Sequence, residues 1–234
     1  MELDASADAA LVRRFFDRSG RVHIAGILKA DAAKAVFSCL AEQTPWQLSI
    51  HDDQGPRDIP ARSFEQIEPS LRAELSRRVD RAAARGFAYR FSNCRIDTAE
   101  DARAVPLILR RFHEFLNSPP LLQFARVATG FDDITFADAQ ATLYNPGDFL
   151  TCHDDDVKGK NRRVAYVFNF TPLWRVEWGG LLAFPDAYGH LHEAFTPAFN
   201  AVNLMRVPMV HTVTQVATFA AAGRYSITGW FRAS

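Results

Sequence analysis

The segment Tyr144-Asn-Pro-Gly-Asp-Phe-Leu-Thr-Cys-His153-Asp154-Asp155-Asp156 carries the strongest local chemical signal in the chain. His153 and Asp155 stand two apart. On an extended strand such residues share a face, so an imidazole and a carboxylate converge on one ion. Asp154 and Asp156 then point the other way. Taken alone, His-x-Asp also describes an ordinary solvated loop. A second imidazole lies downstream in Pro208-Met-Val-His211-Thr-Val-Thr-Gln-Val216, a run of β-forming residues in which Val213 and Gln215 share the face of His211. By itself His211 reads as a core histidine with its hydrogen bonds satisfied. Joined to His153 and Asp155, it completes two imidazoles and one carboxylate. Such a facial set leaves coordination positions open and suits Fe(II) that must bind a chelating cosubstrate and dioxygen. A zinc hydrolase uses a similar set of three ligands.

The run Gly223-Arg-Tyr-Ser-Ile-Thr-Gly-Trp230-Phe231 separates the two chemistries. Alternation puts Arg224, Ser226, Thr228 and Trp230 on one face and Tyr225, Ile227, Gly229 and Phe231 on the other. A cation, two hydroxyls and an indole are poor material for a dry core and good material for a wet pocket. The guanidinium is a planar fork matched to a carboxylate. A hydrolase gives Arg224 no role and asks for a nearby general base, whereas a carboxylate-bearing cosubstrate uses it directly.

Other polar features read more simply. His190 and His192 sit on a turn with no third ligand near in sequence. The Arg-rich stretch from Arg72 to Arg85 also holds Glu74 and Asp80 and reads as a solvated helix face. Val157 to Arg163 follows the His-x-Asp motif, as a mobile lid or an ordinary polar loop. Cys152 is expected in the core.

Two textures position these residues. From Asp8 to about Arg126 the pattern is helical, broken by loops. Asp31 is placed as an N-cap for a helix at Ala32. Val22, Ile24 and Ile27 form an opening strand. The polar stretch Gln47–Arg62, with Gly55-Pro56 and Pro60, reads as a loop. Helices follow over Ser70–Arg85, Pro106–Leu116 and from Pro119 to near Gly130. Beyond Gly130, strands are expected at Asp138–Tyr144, Phe149–His153, Arg163–Phe170, Gly180–Phe184, Ala201–Arg206, Val210–Val216 and Arg224–Phe231, separated by Gly, Pro and Asn turn signals. That spacing favours a sandwich or barrel over a parallel sheet.

The whole sequence agrees. Its 234 residues suit one large domain, read here as 1–234 with a helix-rich support (1–130) and a β core (131–234). Lys+Arg and Asp+Glu both number 27, which argues against direct nucleic-acid binding. No apolar run is long enough for a membrane span. Three widely spaced cysteines, no Cys-x-x-Cys pair and an acidic start argue for a reducing, cytoplasmic setting.

At these residues the chain resembles the prolyl-hydroxylase-type branch of the Fe(II)/2-oxoglutarate-dependent oxygenases. The resemblance runs over about residues 138–232 through His153-x-Asp155, Trp174, Gly179-Gly180-Leu-Leu, Pro197-Ala-Phe-Asn200, His211-x-Val and Arg224-Tyr-Ser-Ile-Thr-Gly-Trp-Phe. It implies a distorted double-stranded β-helix, a jelly roll buttressed by helices, and so a mainly β, α+β fold. It implies His153, Asp155 and His211 as iron ligands, Arg224 on the distal carboxylate of 2-oxoglutarate, Tyr144 hydrogen-bonded to the cosubstrate, and Thr228 and Trp230 as pocket lining. Dioxygen is then the oxidant and ascorbate a candidate accessory. The implied activity is hydroxylation of a substrate C–H bond, foremost a prolyl residue of a protein. A free amino acid or other small molecule as substrate, and a metal-binding sensor without turnover, are the alternatives. Arg224 stands where collagen-type members carry Lys. Asn169 stands where oxygen-sensing members carry a tyrosine, and it enters the expected substrate pocket with Trp230.

Overall fold

The computed structural model describes residues 1–97 and 102–234. Among them are six α-helices: α1 (Ala9–Ser19), α2 (Ala30–Glu42), α3 (Ala61–Gln66), α4 (Pro69–Ala83), α5 (Leu107–Leu116) and α6 (Pro119–Thr129). The strands are β1 (Arg21–Ala25), β2 (Gln47–Asp52), β3 (Gly55–Pro60), β4 (Tyr89–Arg95), β5 (Phe136–Ala137), β6 (Gln140–Tyr144), β7 (Phe149–His153), β8 (Arg162–Asn169), β9 (Leu182–Pro185), β10 (Leu191–Phe195), β11 (Ala201–Arg206), β12 (His211–Val213) and β13 (Arg224–Arg232). Antiparallel pairing runs in the order β1-β11-β8-β13-β6-β4-β7-β12-β9-β10. The two ends of this path meet through side chains: Arg21 of β1 pairs with Glu193 of β10, and the His23 and Phe195 rings lie 5.7 Å apart. The result is a nearly closed jelly-roll barrel, as the sequence predicts.

Alternation along β13 divides the molecule. Ile227 and Phe231 face outward into the main hydrophobic cluster, where Phe16 of α1, Val36 and Leu40 of α2, and Phe112 and Leu116 of α5 cover the sheet. Arg224, Thr228 and Trp230 face the barrel interior. Helices α1, α2, α5 and α6 therefore cover one face of the sheet, α4 packs Val79 against Ile50 of β2 in a separate cluster, and the barrel interior is left for a site. Local signals end the helices where expected. Asp8 accepts from the Ala10 and Leu11 amides to start α1, and Gly20 and Gly130 close α1 and α6 in the left-handed region.

Three expectations need correction. Gln47–Arg62 is mostly the β2–β3 hairpin rather than a loop. Among the described residues the strand β3 pairs only with β2, and an edge strand tolerates Pro56 and Pro60 because its outer side needs no donors. The helix α2 begins at Ala30 after Lys29, so Asp31 lies within its first turn, where a carboxylate favours the positive helix end without capping it. The strand β4, absent from the sequence reading, sits mid-path between β6 and β7.

Candidate functional site

His153 ends β7 and His211 begins β12, and these two residues are register partners. Their rings stand 4.2 Å apart. Between His153 and Leu150 the β7–β12 register shifts, leaving an extra residue on β7. A bulge of this kind re-aims side chains. Leu150 and His153 consequently both line the barrel interior, and Cys152 is turned outward and exposed, not buried as the sequence reading expects.

Asp155 reaches the same point by a route that strand alternation does not describe. β7 stops at His153, and Asp155 adopts φ +65°, a left-handed conformation that aspartate tolerates better than most residues. Its backbone carbonyl accepts from Arg162 Nη1 at 3.0 Å. The turn brings Asp155 Oδ1 to 3.4 Å from His153 Nε2 and Oδ2 to 3.5 Å from His211 Nε2. One ligand atom from each of the three lies within 4.8 Å of the others, and no other such cluster occurs among the described residues.

Both imidazoles are oriented from behind. His153 Nδ1–H donates to the Thr151 carbonyl at 3.0 Å and His211 Nδ1–H to the Met209 carbonyl at 2.8 Å. Each bond keeps the proton of the neutral ring on Nδ1, so Nε2, which faces the carboxylate, is the atom that a metal would take. Burial pushes the Asp155 carboxyl pKa up, but the His153 hydrogen bond and the two neighbouring imidazoles outweigh it and hold the pKa below the usual range. Burial pulls the His211 pKa down, favouring the neutral ligand form. Burial pulls the His153 pKa down as well, but the hydrogen bond to Asp155 and the charge of that carboxylate outweigh it and hold the pKa above its usual value, so a metal bound there displaces a proton. With both imidazoles neutral, the two nitrogens and one carboxylate fit a ferrous ion.

The cavity holding this cluster has a volume of about 450 Å³. Arg224 lies in it, 2% exposed, opposite Tyr144 in the β13–β6 register, with its Cζ 5.2 Å over the Tyr144 ring. Its Nε has no hydrogen-bond partner, and no carboxylate pairs with it among the described residues. Burial lowers the guanidinium pKa, opposed only by Tyr144, and an arginine there stays charged. A buried, unpaired cation is costly unless a ligand supplies the anion, so the site fits the distal carboxylate of a cosubstrate. Tyr144 is buried and stacked on Phe91 at 5.1 Å; burial pushes its hydroxyl pKa up and keeps it a neutral donor. Gly179 and Gly180 close this end. A Cβ on Gly179, at φ +65°, would lie 2.1 Å from the Gln215 carbonyl oxygen.

Thr228 and Trp230 line the same cavity; Arg162 Cζ sits 3.4 Å over the Trp230 ring. Asn169 does not line it. This residue is buried beside Ser226 with its Nδ2 donating to the Val167 carbonyl, which corrects the expected pocket contact. Gln215 also falls outside, because β12 ends at Val213. His192 pairs with Asp186 on an exposed hairpin, and Glu74 of α4 bridges Arg77 and Arg81 while Arg78 binds Asp52. The sequence reading missed the opposite wall, formed by Phe87, Tyr89, Phe91, Asn93 and Arg95. Its alternating signal, Tyr-x-Phe-x-Asn-x-Arg over 89–95, is present in the sequence.

A jelly-roll barrel with two histidines, one aspartate and a buried arginine in one cavity has the donor set and the carboxylate partner that Fe(II)/2-oxoglutarate oxygenase chemistry requires. Residues 139–232 match the model of the 2OG-Fe(II) oxygenase superfamily. The chain is 32% identical over 110 residues to prolyl 3-hydroxylase OGFOD1 of Mus musculus, covering 44% of this chain and 20% of that protein. It is 31% identical over 104 residues to the Xenopus laevis protein of the same name, covering 40% and 19%. The chain thus spans about one fifth of the length of these curated relatives. Among solved structures, a Pseudomonas putida prolyl-4-hydroxylase matches with TM-score 0.61 and 20% identity over 97% of this chain and 100% of that one. A Trichoplax adhaerens prolyl hydroxylase in complex with a hypoxia inducible factor peptide fragment matches with TM-score 0.62 and 16% identity, over 96% and 89%. At these identities the structures speak for the fold. No helix among the described residues is long and apolar enough to cross a membrane.

Proposed function

We propose that this protein is an Fe(II)- and 2-oxoglutarate-dependent dioxygenase that hydroxylates a prolyl residue of a protein substrate. The observation that carries the reading is Arg224: a buried guanidinium without a carboxylate, in the same cavity as the His153–Asp155–His211 cluster. The resemblance of a 110-residue stretch to prolyl 3-hydroxylase OGFOD1 supports the choice of substrate class. When bound, ferrous iron with 2-oxoglutarate and dioxygen supplies an oxidant able to break a C–H bond, with succinate and carbon dioxide as co-products. His153, Asp155 and His211 would hold the metal. Arg224 would fix the distal carboxylate through its planar fork, and the Tyr144 hydroxyl would donate to the cosubstrate. Phe91, Leu150 and Val213 line the Arg224 end with apolar surface that excludes water. No side chain has to abstract a proton. The three free cysteines fit a reducing compartment, and we assign the cytoplasm on that basis.

The test is succinate release from 2-oxoglutarate under air, with ferrous iron and a panel of proline-containing peptides read by mass gain. Arg224→Ala should raise the 2-oxoglutarate KM by about 100-fold or more, the scale of a lost charge-assisted pair, and leave the ferrous requirement near its original value. An unchanged 2-oxoglutarate curve removes the carboxylate clamp and the reading with it. Turnover that responds to small molecules and to no peptide reassigns the substrate class.

A further inference from the structure

The cavity has a second polar end that the iron ligands and Arg224 leave unexplained. Ser49 of β2, Asn93 and Arg95 of β4, and Gln140 and Thr142 of β6 line it. Asn93 is 1% exposed. Its Nδ2 donates to Asp58 Oδ1 at 3.2 Å. Asp58 is itself held by Arg95, whose Nε and Nη2 donate to Asp58 Oδ2 at 3.0 and 2.8 Å. A carboxylate only accepts, so the amide nitrogen must face Asp58 and the carboxamide cannot be flipped. The carboxamide oxygen is left pointing away from Asp58, buried, with no donor among the described residues. Thr142, the register partner of Asn93, already shares its hydroxyl with Ser226 at 2.9 Å.

A buried acceptor without a donor is an exception among folded proteins and calls for a reason. Here the orientation is enforced by a charged pair behind it, so the orphan oxygen is a consequence of built structure. The terminal torsion of asparagine is soft. A small rotation carries the oxygen to the cavity wall while the amide nitrogen stays with Asp58. The chemistry also says what Asn93 itself can take: with Asp58 neutralised by Arg95, its free oxygen accepts, and a hydrogen-bond donor matches it. The cavity is therefore polarised, with a site for an anion at Arg224 and a site for a hydrogen-bond donor at Asn93.

We propose that Asn93 is a specificity-determining residue whose Oδ1 accepts a main-chain N–H from the residue next to the target proline in a peptide substrate. The proposal rests on the prolyl reading above. A prolyl residue within a chain has no N–H of its own, so the donor must come from a neighbour. Arg95 and Asp58 act as positioning residues that set the direction of the Asn93 amide.

The experiment uses the full chain with ferrous iron and 2-oxoglutarate, and short proline-containing peptides N-methylated in turn at the residue before and the residue after the proline. One of the two methylations should raise the peptide KM of the wild-type protein about tenfold, the scale of one lost neutral hydrogen bond. Asn93→Leu should raise the KM of the unmethylated peptide by a similar factor. In that variant the same methylation should change the KM by less than about twofold, because the interaction is already gone. The methylated peptides test the wild-type protein directly, so the proposal remains falsifiable if Asn93→Leu does not fold. Wild-type KM values that ignore both methylations overturn it, as does a variant as sensitive to methylation as the wild type. If the wild-type protein turns over 2-oxoglutarate but hydroxylates no peptide, the prolyl reading falls and this proposal falls with it. That result is told apart from the others by the silence of the unmethylated peptides.

Discussion

Asp155 bears more of the site than its neighbours suggest. It stands within hydrogen-bonding or near-contact range of both imidazoles, and its backbone is held in a conformation reached only because β7 ends at His153. Removing its carboxylate leaves two neutral imidazoles with no anion to balance a divalent ion. Asp155→Ala should therefore lower ferrous affinity by more than about 100-fold, beyond the range typical of residues that merely support a ligand. Anaerobic titration of Fe(II) measures it, and a circular dichroism melt within a few degrees of wild type separates lost binding from lost folding. Retained affinity would remove Asp155 from the ligand set. Residue types and order made this centre legible: His153, Asp155, His211 and Arg224 all meet in one cavity. The mechanism of convergence was not legible. Same-face alternation pairs His153 with Asp155 on paper, whereas the molecule achieves it with a bulge and a left-handed turn, which no two-residue period encodes.

Elements explain both what the sequence disclosed and what it withheld. The strands beyond Gly130 are marked by short apolar runs between turn signals, and β13 also alternates, because one of its faces meets helices and the other the cavity. The strand β4 alternates too, yet it follows a long amphipathic helix, and β2–β3 carries prolines that favour a loop reading. β10 was hidden for a different reason: as the last strand of the path, with Leu191 and His192 exposed, it lacks a buried face to mark it. The turn leading into β7 offers a test at this scale. Asp148 is buried there, accepting from Arg90 Nε at 3.1 Å and from the Asn145 amide at 2.8 Å. Burial outweighs both contacts and pushes its pKa up to about 6. Below about pH 4 the carboxyl is neutral in folded and unfolded chains alike. As pH rises through about 6 the unfolded chain has already ionised, while the folded one ionises at a cost, so stability is lost. Urea unfolding of wild type and Asp148→Asn between pH 4 and 7 should show wild type losing on the order of 3 kcal/mol relative to the variant. A constant difference across that range would contradict the assignment. The cysteines give a second test of packing. Cys39 and Cys94 are buried, and burial raises the Cys94 thiol pKa to about 11; Cys152 is exposed. A thiol reagent should label Cys152 in the native protein and reach the other two only after denaturation, with peptide mapping as the readout.

At the scale of the whole molecule, the decisive fact is that the first part of the chain is in the sheet as well as around it. β4 hydrogen-bonds to both β6 and β7, and β1 extends the other end of the path from β11. Without β4, the facing edges of β6 and β7 are unpaired. Removing residues 1–130 would also strip α1, α2, α5 and α6 from the outer face of β8 and β13, where Phe168, Phe170, Ile227 and Phe231 would meet water. The cavity would lose the wall from Phe87 to Arg95 and, with it, the stack of Phe91 on Tyr144. Unpaired edges and an apolar face of this kind lead to aggregation rather than to a smaller native fold. The segment 131–234, which contains all three candidate iron ligands and Arg224, should therefore fail to fold alone: its amide proton spectrum should lack dispersion, and it should bind Fe(II) no better than an unstructured peptide of the same composition. Co-expression with residues 1–130 should restore a dispersed spectrum, since the missing strand and helices are then supplied in trans. A cooperative thermal transition in the isolated segment would show instead that the barrel closes without β4, and that the early helices and strands are an addition to an autonomous core.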